Sequence, residues 1–245
     1  ESFSQFTVTK EGIIRFGLVT IKNFGQGIST SIIEERKKNG KYKTLVDFLE
    51  RVKDRNLNKK SLEALIKAGA MDAFGERGIM LANVEDLLHY SKEKNKMPDN
   101  QDSLFISTSQ LTLKNTPPAT MADKLIWEKE LLGLYISGHP LDKYKDIIEK
   151  RKENIKHIKE TLKDGMIAVI AGIVEEAKNI TTKNGDNMMF LKLTDFTDSI
   201  EAVVFPRIYA EFKKILVAEK CLALRGKFST RNGTPSLIVE KIKEL

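Results

Sequence analysis

The sequence predicts a multidomain α+β protein, with an all-helical first part followed by a small β-barrel. Up to about residue 93, apolar residues recur at helical spacing between short glycine-containing breaks. From Met166 onward the spacing becomes that of strands, and Asn184-Gly185 and Asn232-Gly233 are strong signals for hairpin turns. A chain of 245 residues is long enough for each part to bury a core of its own.

The composition excludes several classes of protein. A single cysteine, Cys221, rules out a disulfide framework and fits a reducing, cytoplasmic compartment. The three histidines lie far apart without metal-ligand spacing, so we expect neither a metal site nor a cofactor. No apolar run approaches the ~20 residues of a membrane span. The chain opens at Glu1 without a Met or a signal peptide, and we expect it to be part of a longer protein. Its net charge of +7 is only a weak attraction for phosphate.

Four helices are predicted in the first domain, residues 1–93. Capping residues and apolar stripes define them. The first covers residues 30–39 and ends before Gly40, and the second begins at Thr44, which forms a capping box with Asp47. The third is capped by Asn58 and ends before Gly69, and the fourth covers residues 79–91.

Residues 94–120 are polar and interrupted by Pro98, Pro117 and Pro118, which predicts an exposed linker. Such a length is unusual inside a compact domain, so we expect function or flexibility there. Two helices, over about 121–135 and 141–152, form a predicted connector at 121–160.

The last section, 161–245, is predicted to form three strands, a short helix and two more strands. This order is that of an OB-fold barrel, whose known ligands are oligonucleotides and oligosaccharides. The predicted strands are 166–176, 188–194, 199–205, 221–230 and 235–240, with a helix at 209–216.

A candidate phosphate-binding hairpin precedes the first helix. Two glycines one residue apart allow a tight turn and close approach of backbone amides to a ligand, and the helix adds its free N–H groups. This is the pattern of a helix-hairpin-helix, which holds DNA phosphates without reading bases. An ordinary turn before a helix is the alternative. The predicted contacts are Lys22, Phe24, Gly25, Gln26, Gly27 and Ser29.

A second, weaker hairpin is indicated at 68–75, with Gly69 and Arg77 as candidate DNA contacts. Asp72 would oppose phosphate there. A helix end with a packing turn explains the same residues equally well.

The exposed linker carries an apolar pair, Leu104-Phe105, in a polar segment. With an upstream glutamine, such a peptide suits a partner's groove, where a few apolar anchors carry most of the binding energy. Alternatively, Phe105 fastens the linker to the helical domain. The whole candidate peptide is Gln101, Asp102, Ser103, Leu104 and Phe105.

In the barrel, Phe190 and Lys192 share one face of the second strand, and Leu191 and Leu193 share the other. With Lys183 and Arg231 in the two turns, they favour a stacking platform with a basic rim for single-stranded nucleic acid. The alternative places Phe190 inside the barrel and Lys192 at an edge.

Taken together, the motifs resemble the C-terminal half of the bacterial DNA polymerase III alpha subunits, the replicative C-family polymerases. The resemblance covers nearly the whole chain in order. The residues that carry it are Ile14 to Leu18, Phe24 to Gly27, Leu65 to Gly75, Trp127 to Gly133, Ser137 to Leu141 and Val203 to Pro206.

The resemblance implies double-stranded DNA at the hairpin domain, single-stranded template at the barrel, and the beta sliding clamp at the 101–105 peptide. Other replisome subunits would bind elsewhere on the full chain. The family's PHP domain, its palm with the metal-binding aspartates and its last domain are not matched here. This piece is therefore expected to have no catalytic residue, although the full chain would polymerise DNA by two-metal phosphoryl transfer.

Two alternatives remain at this point. One is the equivalent region of a C-family paralogue used in mutagenic repair, for which a weaker clamp motif is expected. The other is an OB anticodon-binding module of a tRNA synthetase, which would not explain the glycine hairpin or the Leu-Phe peptide.

Overall fold

The computed structural model describes residues 2–8, 11–96, 111–150, 153–231 and 233–245. The chain forms two compact units, Glu1–Gly138 (unit 1) and His139–Leu245 (unit 2). The boundary divides the 121–160 segment between the two units.

Unit 1 is helical apart from a small antiparallel pair near its start, β1 with β2. A 3-10 turn, Leu18–Thr20, leads into the hairpin that was predicted from sequence. The elements are β1 (Thr7–Val8), β2 (Ile14–Arg15), α1 (Gln26–Asn39), α2 (Leu45–Arg51), α3 (Lys59–Lys67), α4 (Arg77–Ala82), α5 (Val84–Lys96) and α6 (Met121–Leu132).

The helix starts follow the capping residues of the sequence. The Thr44 side chain accepts a hydrogen bond from the Asp47 amide at 3.0 Å, and Asn58 accepts one from the Ser61 amide at 3.1 Å. The apolar stripes of these helices meet in one core, which Leu131 of α6 joins. Helix α1 begins four residues before the predicted start at residue 30, because its N-cap is Gly25.

The predicted helix over 79–91 is broken at Asn83. Its side-chain amide donates to the carbonyls of Ile79 (2.8 Å) and Lys114 (3.0 Å) and accepts from the Lys114 N–H at 2.8 Å. The Asn83 side chain therefore binds the backbone at Lys114 to the end of α4. Leu111 and Leu113 pack against the core nearby, so this stretch is attached to unit 1 rather than forming an exposed linker.

Unit 2 contains the five-stranded barrel that was predicted. Its strands close in the order β3-β4-β5-β7-β6, with β5 and β7 parallel and the other pairs antiparallel. Helix α9 connects β5 to β6, as an OB fold requires. The strands are β3 (Ile167–Thr181), β4 (Asn187–Thr194), β5 (Ser199–Val204), β6 (Cys221–Ser229) and β7 (Ser236–Glu244), and the helices are α7 (Lys145–Glu149), α8 (Ile155–Thr161) and α9 (Pro206–Phe212).

The sequence did not predict α8. Asn154 caps it by accepting from the His157 N–H at 2.8 Å, and Ile155 and Ile158 are fully buried in the barrel core. The predicted helix over 141–152 is a 3-10 turn, Asp142–Tyr144, followed by the short α7.

Within the described ranges, no helix has the length and apolarity to cross a membrane. The same residues contain no cluster of three or more His, Cys, Asp or Glu side chains that could hold a metal ion.

Candidate nucleic-acid interface

The hairpin before α1 is fixed by its apolar residues and turned by an asparagine. Ile21 and Phe24 are buried in the unit 1 core, and Asn23 between them has a φ of 68°. The Phe24 N–H donates to the Ile21 carbonyl at 3.1 Å, and the Lys22 N–H donates to the Leu131 carbonyl at 2.9 Å. The buried side chains of Ile21 and Phe24 hold the hairpin in place, and the Lys22 side chain between them is exposed.

The two glycines do not make the turn, contrary to the sequence interpretation. Gly25 has a φ of −78° and a ψ of 154°, and Gly27 lies in the first turn of α1. A Cβ added at Gly25 would meet nothing within 4 Å, and one at Gly27 would meet only Asn56 Nδ2, at 3.4 Å. By contrast, a Cβ at Gly17 would overlap the Ser4 carbonyl. Packing within unit 1 therefore gives no reason for glycine at positions 25 and 27, where backbone is left uncovered.

The first turn of α1 is arranged to receive an anion. Its N-cap is a glycine, which offers no side-chain oxygen to the free N–H groups, and no acidic residue occupies the turn. Gln26 and Gly27 are exposed. Because the first N–H groups of a helix lack intrahelical acceptors and carry partial positive charge, a phosphate oxygen fits this end.

Two of the residues predicted to contact DNA here do not face solvent. Phe24 is only 6% exposed and belongs to the core, and Ser29 is fully buried. The Ser29 hydroxyl also lacks a hydrogen-bond partner among the described residues. The prediction is thus wrong for these two side chains, whereas Lys22, Gly25, Gln26 and Gly27 form an exposed surface.

The second hairpin is a packing turn. Gly69 follows α3 with a φ of 76°, as expected for a residue past a helix end. Arg77 is 3% exposed, and its Nε and Nη2 each donate to the Asp72 carboxylate at 2.8 Å. Arg77 therefore cannot reach a phosphate, and its prediction as a DNA contact is corrected.

Arg77 instead belongs to a buried ion pair with Glu128 of α6, with Nη1 and Oε1 2.8 Å apart. Burial opposes ionisation of Glu128, yet hydrogen bonds from Ser137, from the Ile136 amide and from Arg77 hold its pKa below the ordinary value. This network joins α4, α6 and the chain beyond α6. The sequence pattern placed this helix in the predicted connector and gave Glu128 no role of its own.

The predicted clamp-binding peptide, Gln101, Asp102, Ser103, Leu104 and Phe105, lies outside the described residues. The segments on both sides of it, α5 and the chain from Leu111, belong to unit 1.

The barrel presents a face of β4 to solvent. Leu191 and Leu193 are fully buried inside the barrel, which places Phe190 and Lys192 on its outside. Phe190 is half-buried and pairs with Lys178 of β3 and Val203 of β5. A surface groove of about 390 Å³ crosses this face. Its lining includes Lys159, Glu176, Lys178, Phe190, Lys192, Glu201 and Pro235.

The rim of this groove is less basic than the sequence suggested. Lys192 Nζ lies 2.8 Å from the Glu175 carboxylate, and the hydrogen bond raises the pKa of Lys192. Glu176 and Glu201 flank Lys192 on the neighbouring strands. Lys183 and Arg231 are exposed in the two turns, but neither is among the residues that line the groove, so the structure does not bring them to Phe190 as the sequence interpretation expected.

Sequence reasoning missed Lys178 because it ended the first barrel strand at Glu176. The strand continues to Thr181, which places Lys178 opposite Phe190. Lys178 takes part in no ion pair within the described part of the chain. It is therefore a cation available beside the half-buried ring of Phe190.

Comparisons with known proteins agree with both units. Residues 1–79 match the family described as a helix-hairpin-helix motif, and residues 168–245 match an OB-fold nucleic acid binding domain. These matches support the predicted fold class.

Curated relatives cover nearly the whole chain. It is 40% identical over 222 residues to the DNA polymerase III subunit alpha of Aquifex aeolicus, covering 90% of this chain and 18% of the relative. For the subunits of Treponema pallidum and Bacillus subtilis, identity is 34% and 33%, covering 96% and 99% of this chain but 21% and 22% of the relatives. The chain thus spans about a fifth of the length of the curated relatives it matches.

Proposed function

Because the chain belongs, as a segment, to the family of bacterial DNA polymerase III alpha subunits, we propose that it is a binding region without chemistry of its own. In this proposal, unit 1 holds duplex DNA, the barrel holds single-stranded template, and residues 101–105 bind the beta sliding clamp. The segment needs no cofactor for these tasks. Polymerisation and contacts with other replisome subunits belong to the rest of the full-length subunit.

The uncovered backbone at Gly25 and Gly27 is the observation that carries the proposal. Neither residue is required to be glycine by its φ or by neighbouring atoms inside unit 1. A glycine also serves where a backbone must approach a ligand closely. With free amides at the start of α1 and the exposed Lys22, the ligand that fits is a DNA phosphate, bound without sequence readout.

The barrel face supports a single-stranded ligand. Phe190 offers a half-exposed ring, and Lys178 on the paired strand supplies a charge beside it. Stacking of a base on an aromatic ring contributes about 1–3 kcal/mol and tolerates any base. Because acidic residues flank the basic rim, we infer that stacking contributes more to binding than phosphate contacts do.

The clamp assignment rests on the sequence of the 101–105 peptide and on the family resemblance. Its flanks add a constraint, because α5 and the stretch around Lys114 both belong to unit 1. A clamp bound at this peptide would therefore be tethered to the duplex-binding unit through both flanks. The mutagenic-repair paralogue remains the alternative. The helix-hairpin-helix match over residues 1–79 and the curated relatives favour either polymerase over a tRNA-binding module.

The test uses the whole chain with two pairs of substitutions. Leu104→Ala with Phe105→Ala should abolish capture of the beta clamp in a pull-down while duplex affinity is unchanged. Ser107→Ala with Thr108→Ala, two residues further along, is the matched control and should leave clamp binding intact. Clamp capture that survives the Leu104 and Phe105 changes would refute the clamp assignment, and absence of duplex binding by the wild-type chain would refute the DNA assignment.

A further inference from the structure

A basic loop lies directly beside the glycine hairpin, although it is distant in sequence. It connects α2 to α3 and comprises residues 53–58, followed by Lys59 and Lys60 in the first turn of α3. The Asn56 amide is the nearest group to Gly27, since a Cβ built there would lie 3.4 Å from Asn56 Nδ2. The loop and the proposed phosphate site therefore form one continuous surface of unit 1.

The loop is fixed before any ligand arrives. Val52 and Leu57 on either side of it are buried in the core. The Leu57 N–H donates to the Asp54 carbonyl at 3.0 Å, and the Ser61 hydroxyl donates to the Asn56 carbonyl at 2.8 Å. Because the backbone is already held, binding through this loop would cost little conformational entropy.

The only acidic side chain of the loop is bound within the protein. The Ser31 hydroxyl of α1 donates to the Asp54 carboxylate, and the Asn56 N–H donates to its other oxygen at 2.7 Å. These hydrogen bonds, with that from Ser31 the largest influence, lower the pKa of Asp54. The carboxylate thus holds the loop against α1.

The basic side chains differ in their availability. Lys59 Nζ lies 2.9 Å from the Glu85 carboxylate, so its charge is compensated. Arg55 and Lys60 are exposed and, among the residues that the structure describes, neither is in an ion pair. Two exposed cations outside any ion pair of the described residues therefore flank Asn56 in sequence, the residue whose side chain lies beside Gly27, and Arg55 acts on Asp54 only through space.

We propose that Arg55 and Lys60 form a second backbone-contact site on duplex DNA, next to the site at the hairpin. The occupant is a DNA phosphate, because the loop offers exposed cations beside a surface already suited to phosphate. The inference rests on the proposed duplex binding and adds residues that the hairpin motif does not contain.

The experiment measures duplex affinity of the whole chain by fluorescence anisotropy over a series of salt concentrations. Removing one cation that neutralises a phosphate should reduce the slope of log K against log salt by about 0.9. Arg55→Gln with Lys60→Gln should therefore lower the slope by about 0.9 to 1.8, and Lys22→Gln should lower it through the hairpin site. Lys59→Gln removes one charge from the same surface and is the matched control, for which the slope should stay at the wild-type value.

The outcomes separate this inference from the function on which it rests. A wild-type slope for the Arg55 and Lys60 variant, with a reduced slope for Lys22→Gln, would overturn the second site and leave the hairpin site standing. An equal reduction by Lys59→Gln would also overturn it, because net charge alone would then explain the effect. If the wild-type chain does not bind duplex DNA, the proposed function itself fails.

Discussion

Replacing Gly27 by alanine should make unit 1 more stable and its duplex binding weaker. Gly27 is in the first turn of α1, where glycine is less favourable than alanine by roughly 0.5–1 kcal/mol. The new methyl group would lie 3.4 Å from Asn56 Nδ2, an ordinary contact with a flexible side chain. We therefore expect the thermal unfolding midpoint of unit 1 to rise by about 1–4 °C.

The same methyl group would occupy the space through which a phosphate approaches the amides of α1. Loss of one hydrogen bond to a charged group costs about 1.5–3 kcal/mol. Duplex affinity should therefore fall by roughly 10- to 150-fold. Higher stability of unit 1 together with weaker duplex binding would indicate that Gly27 serves ligand binding rather than folding.

Thermal unfolding followed by circular dichroism and duplex titrations at constant salt measure the two effects on the same preparations. Asn39→Ala is the control, since it raises helix propensity at the other end of α1, about 18 Å away at 1.5 Å per residue. It should leave duplex affinity unchanged. Unaltered affinity of the Gly27→Ala chain would show that no phosphate approaches here, and the main argument for the hairpin site would be lost.

Three further predictions concern Arg77, the carboxylates of Glu76 and Glu128, and the barrel. Arg77→Met leaves Glu128 charged and unpaired inside unit 1, so urea denaturation should show a loss of about 3–5 kcal/mol; a loss below about 1 kcal/mol would contradict this role. The pKa values of Glu76 and Glu128 are lowered in the folded state, so their stabilisation is complete above the ordinary value of 4.5 and is lost as pH falls through the lower folded values. The thermal unfolding midpoint of the chain should therefore decrease as the pH is lowered below 4.5. A midpoint that stays constant down to about pH 3 would disprove this contribution. Phe190→Ala should weaken binding of oligo-dT by about 1–3 kcal/mol in titrations. Phe196→Ala is the control, because its ring is exposed in the turn after β4, and it should leave binding unchanged. Equal losses of affinity in the two variants would contradict stacking at Phe190.

The barrel was predictable because its signals are local and consistent. Alternation along β4, two Asn-Gly turns and a helix between the third and fourth strands all pointed to one topology, and the structure has it. The end of β3 was missed because the polar stretch after Glu176 resembles a loop. Pairing with β4 extends that strand, and pairing between strands cannot be deduced from one segment alone.

In unit 1, the sequence predicted the capped helices but not which partners the polar side chains of Arg77 and Asn83 would bind. Arg77 was interpreted as a phosphate contact because its buried partner, Glu128, is 51 residues away along the chain. Asn83 was placed inside a helix because its partner, the Lys114 backbone, is 31 residues away. The exposed Arg55 was not predicted for the same reason, since its loop reaches the hairpin only in the fold.

The attachment of the chain at Asn83 has a mechanical consequence for the proposed clamp tether. A pull on residues 101–105 would enter unit 1 by two routes, through α5 and through the stretch that begins at Leu111. On the second route, the two hydrogen bonds between Asn83 and Lys114 and the one from the Ala119 N–H to Glu76 would resist the force. Tension between clamp and DNA would then be carried within unit 1, and the barrel could release and rebind its strand without bearing that load.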